Sequence, residues 1–194
     1  MRAVFASRNR HKVEQVRILL DRIEIVTLDD AAPDLQLEEP FDTFEENARA
    51  KARAAVHVTG FPAIADDSGL EVDALDGDPG VRSARYAGED ATDAANNAKL
   101  VSLMQDVPES ERTCRYQCVA VCVMPDGSSV LASGSCEGRV VLEARGTLGF
   151  GYDPYVVPEG ETRTMGEIPL EEKLVFSHRG RAFRALAEKL EAME

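Results

Sequence analysis

Apolar positions along this chain change period several times, and each change marks an element. Arg2 to Ala6 is a short, nearly unbroken apolar run, which predicts a buried strand. The polar stretch Ser7-Arg8-Asn9-Arg10-His11-Lys12 follows, with Ser7 as a candidate N-cap. Val13, Val16, Leu19 and Leu20 then recur at helical spacing on one face. Ile23 to Leu28 predicts a second strand, and Asp29 to Pro40 is acidic and irregular. Thr43-Phe44-Glu45-Glu46 matches a capping box and opens a helix to about Val58, with Ala48, Ala52, Ala55 and Val56 on its apolar side. Lys51 and Arg53 fall on its other sides, where such residues are ordinarily solvated.

Two apolar runs, Pro62 to Ala65 and Leu70 to Leu75, flank Asp66-Asp67-Ser68-Gly69. They read as the ends of two buried strands. The polar tetrad taken alone reads as a turn, with Gly69 at positive φ and the carboxylates capping backbone. A hard cation held by the paired acids is the other reading, because buried carboxylates are costly without a positive partner. Asp76 to Gly88 is a turn-rich loop, long enough to be functional or mobile. Thr92 caps a helix to Met104. Thr113–Met124 and Ser128–Cys136 flank the hairpin signal Pro125-Asp126-Gly127, and Arg139 to Glu143 predicts another short strand. Gly149-Phe150-Gly151 permits close backbone approach to a ligand beside a flat ring, or forms a turn with an aromatic plug. Val156-Val157 reads as a strand, Pro169 to Lys173 as a helix start, and Ser177-His178-Arg179 as the opening of a last helix with Phe183, Leu186, Ala187 and Leu190 inward. Basic residues there oppose the helix dipole, a cost that a bound anion relieves.

At 194 residues, the length fits one large domain or two small lobes. The net charge of −13 argues against a nucleic-acid polymer as partner. No run is long enough to cross a membrane, and the first residues lack a signal-peptide core, so a cytoplasmic protein is expected. Cys114, Cys118 and Cys122 share one strand parity and no C-x-x-C pair occurs. Small buried thiols are expected rather than a metal or redox site.

Together these segments offer cationic helix starts, paired acids and a glycine-framed aromatic, a kit suited to a metal-bound nucleoside triphosphate. Their order resembles one family nearly end to end. The motifs are S-x-N-x-x-K at Ser7–Lys12, F-x-E-N-A-x-x-K-A at Phe44–Ala52, A-I-A-D-D-S-G-L at Ala63–Leu70, P-G-V-x-S-A-R-Y-A-G at Pro79–Gly88, G-F-G-Y-D-P at Gly149–Pro154 and S-H-R-G at Ser177–Gly180. The chain resembles the inosine/xanthosine triphosphate pyrophosphatases, the Ham1-like or RdgB-like non-canonical purine NTP pyrophosphatases. The resemblance implies Mg²⁺-dependent hydrolysis of ITP, dITP and XTP at the α–β phosphate bond, cleansing the nucleotide pool. It implies Asp67 as general base and metal ligand, an acid of the pair Glu38 and Glu39 completing the metal site, and Asp66 in support. Ser7, Arg8, Asn9, Arg10, His11, Lys12, Lys51, Ser68 and Lys173 would hold the triphosphate. Phe150, Gly151, Tyr152 and Asp153, with His178 and Arg179, would hold the base, Arg179 or His178 donating to purine O6. The expected architecture is a single α/β domain over residues 1–194, a long mixed sheet flanked by helices, with two lobes about a central active-site cleft, assembled as a homodimer.

Arg8 and His11 stand where the family often has glycine, and Thr164 to Ile168 is less typical and receives no role. A pyrophosphatase acting on modified pyrimidines or dinucleotides would use the same acids. A nucleotide-sequestering protein would need no general base, and a scaffold would need none of the kit.

Overall fold

A computed structural model describes residues 1–193. Six strands, β1 (Arg2–Phe5), β2 (Glu24–Thr27), β3 (Ala63–Val72), β4 (Thr113–Val123), β5 (Ser129–Val140) and β6 (Val156–Pro158), form one sheet in the order β2-β1-β3-β4-β5-β6. β2 and β3 run parallel to β1, whereas β6 is antiparallel to β5, so the sheet is mixed. Helices α1 (Arg10–Leu19), α2 (Leu28–Ala31), α3 (Phe44–Thr59), α4 (Asp93–Met104), α5 (Leu170–Phe176) and α6 (His178–Glu191) complete the expected α/β fold. Among the described residues no helix is long and apolar enough to cross a membrane.

The chain divides into two units. The first comprises residues 1–67, 118–134 and the segment from Arg179 onward. β1 and the first half of β3 are buried on both faces, which explains their unbroken apolar runs. Ala3 and Phe5 pack with Val16, Leu20, Phe183 and Leu186, while Val4 and Ala6 pack with Leu28, Ala48, Ala52 and Ala55. That split follows the two-residue period of a strand. Phe5 and Phe183 meet edge to face, with ring centroids 6.2 Å apart. Cys118 and Cys122 share the face of Phe5. All four cysteines are buried free thiols, as expected; parity pointed to this for Cys114, Cys118 and Cys122, and Cys136 lies on β5.

The second unit comprises residues 68–117 and 135–178. Its core gathers Leu70, Val72, Leu100, Met104, Tyr116 and Met165.

The largest departure from the expected elements is β3. Residues 63–72 form one strand, so Asp66-Asp67-Ser68-Gly69 is extended backbone and not a turn. Gly69 does not take positive φ. It is required for space instead: a Cβ there would stand 2.5 Å from Ser83 Oγ and collide with the Gly80 carbonyl oxygen. That hydroxyl accepts the Leu70 N–H and donates to the same carbonyl. Gly69→Ala is expected to destabilise by about 1–3 kcal/mol, a Tm loss of roughly 2–12 °C for a chain of this size, read by a thermal melt.

Two smaller differences concern boundaries, and one segment without a predicted role proves ordered. The strand expected at 139–143 is the end of β5, which continues to Val140. β2 stops at Thr27, whose side chain caps α2 by accepting the Asp30 N–H. The segment around Thr164 folds into a capping box with Glu167.

Candidate active site

Adjacent residues of a strand face opposite sides, and Asp66 and Asp67 therefore meet different partners. Both are buried, as are Lys51 and Arg179.

Asp66 looks toward α1 and α6. Its Oδ2 lies 3.1 Å from Lys12 Nζ and accepts from Arg179 Nε at 3.3 Å and Nη2 at 3.2 Å. Gln15 Oε1 accepts from Arg179 Nη1 at 3.0 Å and orients the fork. Burial alone would raise the Asp66 carboxyl, but Lys12, Arg179 and Lys51 outweigh it and hold the group far below the usual carboxylate range. Cys118 Sγ lies 3.8 Å from the same oxygen. Burial first, and then Asp66, push that thiol up to about 12, so it stays neutral. The other carboxylate oxygen, Oδ1, is buried and accepts no hydrogen bond from the described residues.

Asp67 looks toward α3. Asn47 and Lys51, one helical turn apart on α3, share a face and both reach it. Asn47 Nδ2 donates to Oδ2 at 3.1 Å, and Lys51 Nζ to Oδ1 at 3.3 Å. Lys51 Nζ also donates to Glu39 Oε1. Burial, with Glu39 and Asp66 nearby, raises the Asp67 carboxyl against the pull of Lys51. Lys51 is raised despite its burial because Asp67, Glu39 and Asp66 surround it. Lys51 therefore lies on the buried side of α3 and not among its solvated residues.

The loop before α1 differs from its sequence reading. Asn9, not Ser7, is the N-cap, accepting the N–H groups of His11 and Lys12 at 3.0 and 3.3 Å. Ser7 Oγ accepts the Asn9 N–H. Arg8 turns away from the helix start: its guanidinium holds Asp29 at 2.6 Å and the Pro33 and Leu35 carbonyls at 2.7 and 2.8 Å. Arg10 and His11 are exposed, and no acidic residue occupies the first turn of α1.

In the second unit Asp153 is a hub. Its Oδ2 accepts from Lys173 Nζ at 2.8 Å and from the Phe150 N–H at 3.3 Å, and its Oδ1 from the Tyr116 hydroxyl at 3.2 Å. Tyr116 stacks on His178, with centroids 4.7 Å apart and planes 14° from parallel. α4 grips Gly151: Asp93 Oδ2 accepts its N–H at 2.8 Å, and Asn97 Nδ2 donates to its carbonyl at 2.9 Å. Tyr152 is buried and donates to the Ser83 carbonyl. Gly149 sits at φ +85°, and a Cβ there would clash with Asp153 Oδ2 and stand 2.7 Å from Lys173 Nζ. Ser68, half-buried, follows Asp67 on β3.

Within the first unit the structure thus gathers Lys12, Glu39, Lys51, Asp66, Asp67 and Arg179. Glu38 is exposed, whereas its neighbour Glu39 joins the cluster. Within the second unit it gathers Phe150, Asp153, Lys173 and His178. Gln15, Asn47, Tyr116, Asp93 and Asn97 were not singled out from sequence. The four-residue spacing of Asn47 and Lys51, and the strand parity that Tyr116 shares with Cys114 and Cys118, were the available signals.

The donor set suits a hard cation. Glu39 and Asp67 converge on one positive group, the Lys51 ammonium, and a buried oxygen of Asp66 still has acceptor capacity. Among the described residues no three His, Cys, Asp or Glu side chains close into a ready cage. Mg²⁺ needs none, because it takes one or two carboxylates and completes its shell with water and substrate phosphates.

Residues 3–189 match the model of the Ham1 family. A dITP/XTP pyrophosphatase of Geobacter sulfurreducens is 47% identical over 191 residues, covering 97% of this chain and 96% of that one. Among solved structures, the Ham1 protein of Staphylococcus aureus superposes with a TM-score of 0.90 at 36% identity, covering all of both chains. A HAM1 protein from Coxiella burnetii gives 0.90 at 37% identity over 99% of each. Motif order, mixed sheet and near-complete coverage agree: the chain belongs to the Ham1 family.

Proposed function

We propose that this chain hydrolyses non-canonical purine nucleoside triphosphates, dITP, ITP and XTP, to the monophosphate and pyrophosphate, keeping such bases out of nucleic acids. The observation that carries the reading is the buried pair Asp66–Asp67, each acid met by its own lysine, within a family whose relatives are named dITP/XTP pyrophosphatases. A protein that only stores nucleotide gains nothing from a carboxylate buried beside a second one.

Asp67 takes the proton from the attacking water as its oxygen bonds to the α-phosphorus. The α–β bridge breaks and pyrophosphate leaves. A general base of this kind contributes about 10²–10⁴-fold. Lys12 and Lys51 offset the charge that grows on the phosphate oxygens. Glu39 and Asp67 would hold Mg²⁺, which supplies charge neutralisation on the phosphates and acidifies the attacking water. Asp66, paired through Oδ2 with Lys12 and Arg179, keeps Lys12 in place and stays ionised. In the structure Arg8 holds the 33–35 segment and Arg179 holds Asp66.

Purine recognition is assigned to the second unit, where Phe150–Asp153 and His178 lie with Lys173. Hypoxanthine and xanthine pair an acceptor at C6 with a donor at N1, and adenine reverses both. A site built for the first pattern leaves a buried group unpaired with the second, which can give discrimination of 10⁴ or more. Gly149→Ala, forced into a strained φ and onto Asp153 and Lys173, is expected to raise KM for dITP roughly tenfold or more, since about 1–3 kcal/mol of strain is lodged there; steady-state kinetics measures it. We further assign the chain to the cytoplasm as a homodimer, and sedimentation at assay concentrations tests the dimer.

The test of the function is a product assay. Protein with Mg²⁺ is given dITP, XTP, dATP and dGTP separately, and phosphorus NMR resolves the products. Monophosphate and pyrophosphate from dITP and XTP, with dATP and dGTP spared, are expected. Orthophosphate as first product, or no turnover by folded protein, overturns the reading.

A further inference from the structure

The Asn47 carboxamide is fully buried and makes three side-chain hydrogen bonds. Its Oδ1 accepts the Phe41 N–H at 3.0 Å, and its Nδ2 donates to the Phe41 carbonyl at 3.0 Å. This two-way grip on one backbone unit decides which end of the amide is which. Turning it over would set oxygen against the Phe41 carbonyl and nitrogen against the Phe41 N–H. With the orientation decided, the second N–H points at Asp67 Oδ2, 3.1 Å away. Lys51 meets the other oxygen. Phe41 lies two residues beyond Glu39, which bonds the same Lys51. One amide therefore ties the carboxylate on β3 to the loop that carries the second carboxylate.

We infer that Asn47 is a positioning residue that fixes the plane of the Asp67 carboxylate and its spacing from Glu39, through the pin on the Phe41 backbone. The inference rests on the proposed roles of Asp67 and Glu39. Asn47 occupies Oδ2 of Asp67 and leaves Oδ1, which Lys51 meets, to take the proton; without Asn47 the carboxylate rotates and the Glu39 loop loosens. The loss falls on turnover more than on substrate binding, because Asn47 touches neither Lys12 nor the start of α1.

Asn47→Ala and Asn47→Ser are compared with wild type for kcat, KM for dITP, Mn²⁺ affinity by electron paramagnetic resonance, and melting temperature. Expected in variants that stay folded is a kcat lower by about 10- to 100-fold with KM within threefold, a transition-state-only loss, together with Mn²⁺ binding weakened severalfold. A cycle with Asp67→Asn separates positioning from general structural damage: in that background Asn47→Ala adds no further loss. An equal loss in both backgrounds, or an unchanged kcat, overturns the inference. Should both variants fail to fold, amide exchange in the wild type decides. A Phe41 amide that exchanges as fast as an open loop overturns the pin, and a protected one that Mg²⁺ slows further supports it. If the wild type does not turn over dITP, the proposed function falls first, and Asn47 is then judged by Mn²⁺ affinity: undiminished affinity in Asn47→Ala overturns the inference, and a severalfold loss sustains it.

Discussion

Asp67→Asn is expected to lower kcat for dITP by about 10²–10⁴-fold while the protein stays folded. The asparagine keeps the shape, but its single oxygen can accept from Lys51 or from Asn47 where the carboxylate accepts from both, and it cannot take a proton from water. KM should move little, since Lys12 and the start of α1 are untouched. Pyrophosphate release and a thermal melt on the same preparation check both halves. A variant that retains turnover within tenfold of wild type removes Asp67 from the chemistry, and Glu39 would be the next acid to test. Loss of both turnover and folding would instead place the acid among structural groups.

The second large effect belongs to stability. Arg179→Ala is expected to cost roughly 3–5 kcal/mol, the range for removing one partner of a buried ion pair. For a protein of this length that is a Tm fall of roughly 6–20 °C. The reason is local: Asp66 is buried, one of its oxygens has no hydrogen-bond partner among the described residues, and of the two cations on its other oxygen Lys12 would be left. Asp66 titrates below its unfolded value, so its contribution is complete above about pH 4 and fades as pH falls from there toward its lower folded-state value. The variant has less of that contribution to lose. Its deficit is therefore largest at neutral pH and shrinks below about pH 4, and melts across pH read this directly. If Arg179→Ala changed the dITP-to-dATP preference and left the Tm intact, the guanidinium would belong at the base after all.

Local pattern carried most of the elements. The Thr43 cap, the Thr92 cap and the Asp126-Gly127 turn each set a boundary from their own chemistry, and the structure keeps all three, although Glu46 returns to the Thr43 hydroxyl and not to its backbone N–H. The unbroken runs of β1 and of the start of β3 signalled burial on both faces. The Asp-Asp-Ser-Gly tetrad was misleading because a polar run has no partners in the sequence around it. Its partners are Lys12, Lys51 and Arg179, on three helices far along the chain. Glu38 and Glu39 could not be told apart for the same reason: they are neighbours in a loop without periodicity, and only the position of Lys51 separates them.

The sequence by itself determined the fold class, the family resemblance through six ordered motifs, and the residue types of the chemistry, because those depend on short-range periodicity, caps and motif order. The tertiary structure decided the rest. It put Asp66 and Asp67 on opposite faces of one strand, gave Arg179 and Arg8 protein partners, and placed the Asn47 amide against Asp67. Each of these is a pairing of charges or hydrogen-bonding groups between elements distant in the chain, settled by which side chains are buried together, and no local pattern encodes that.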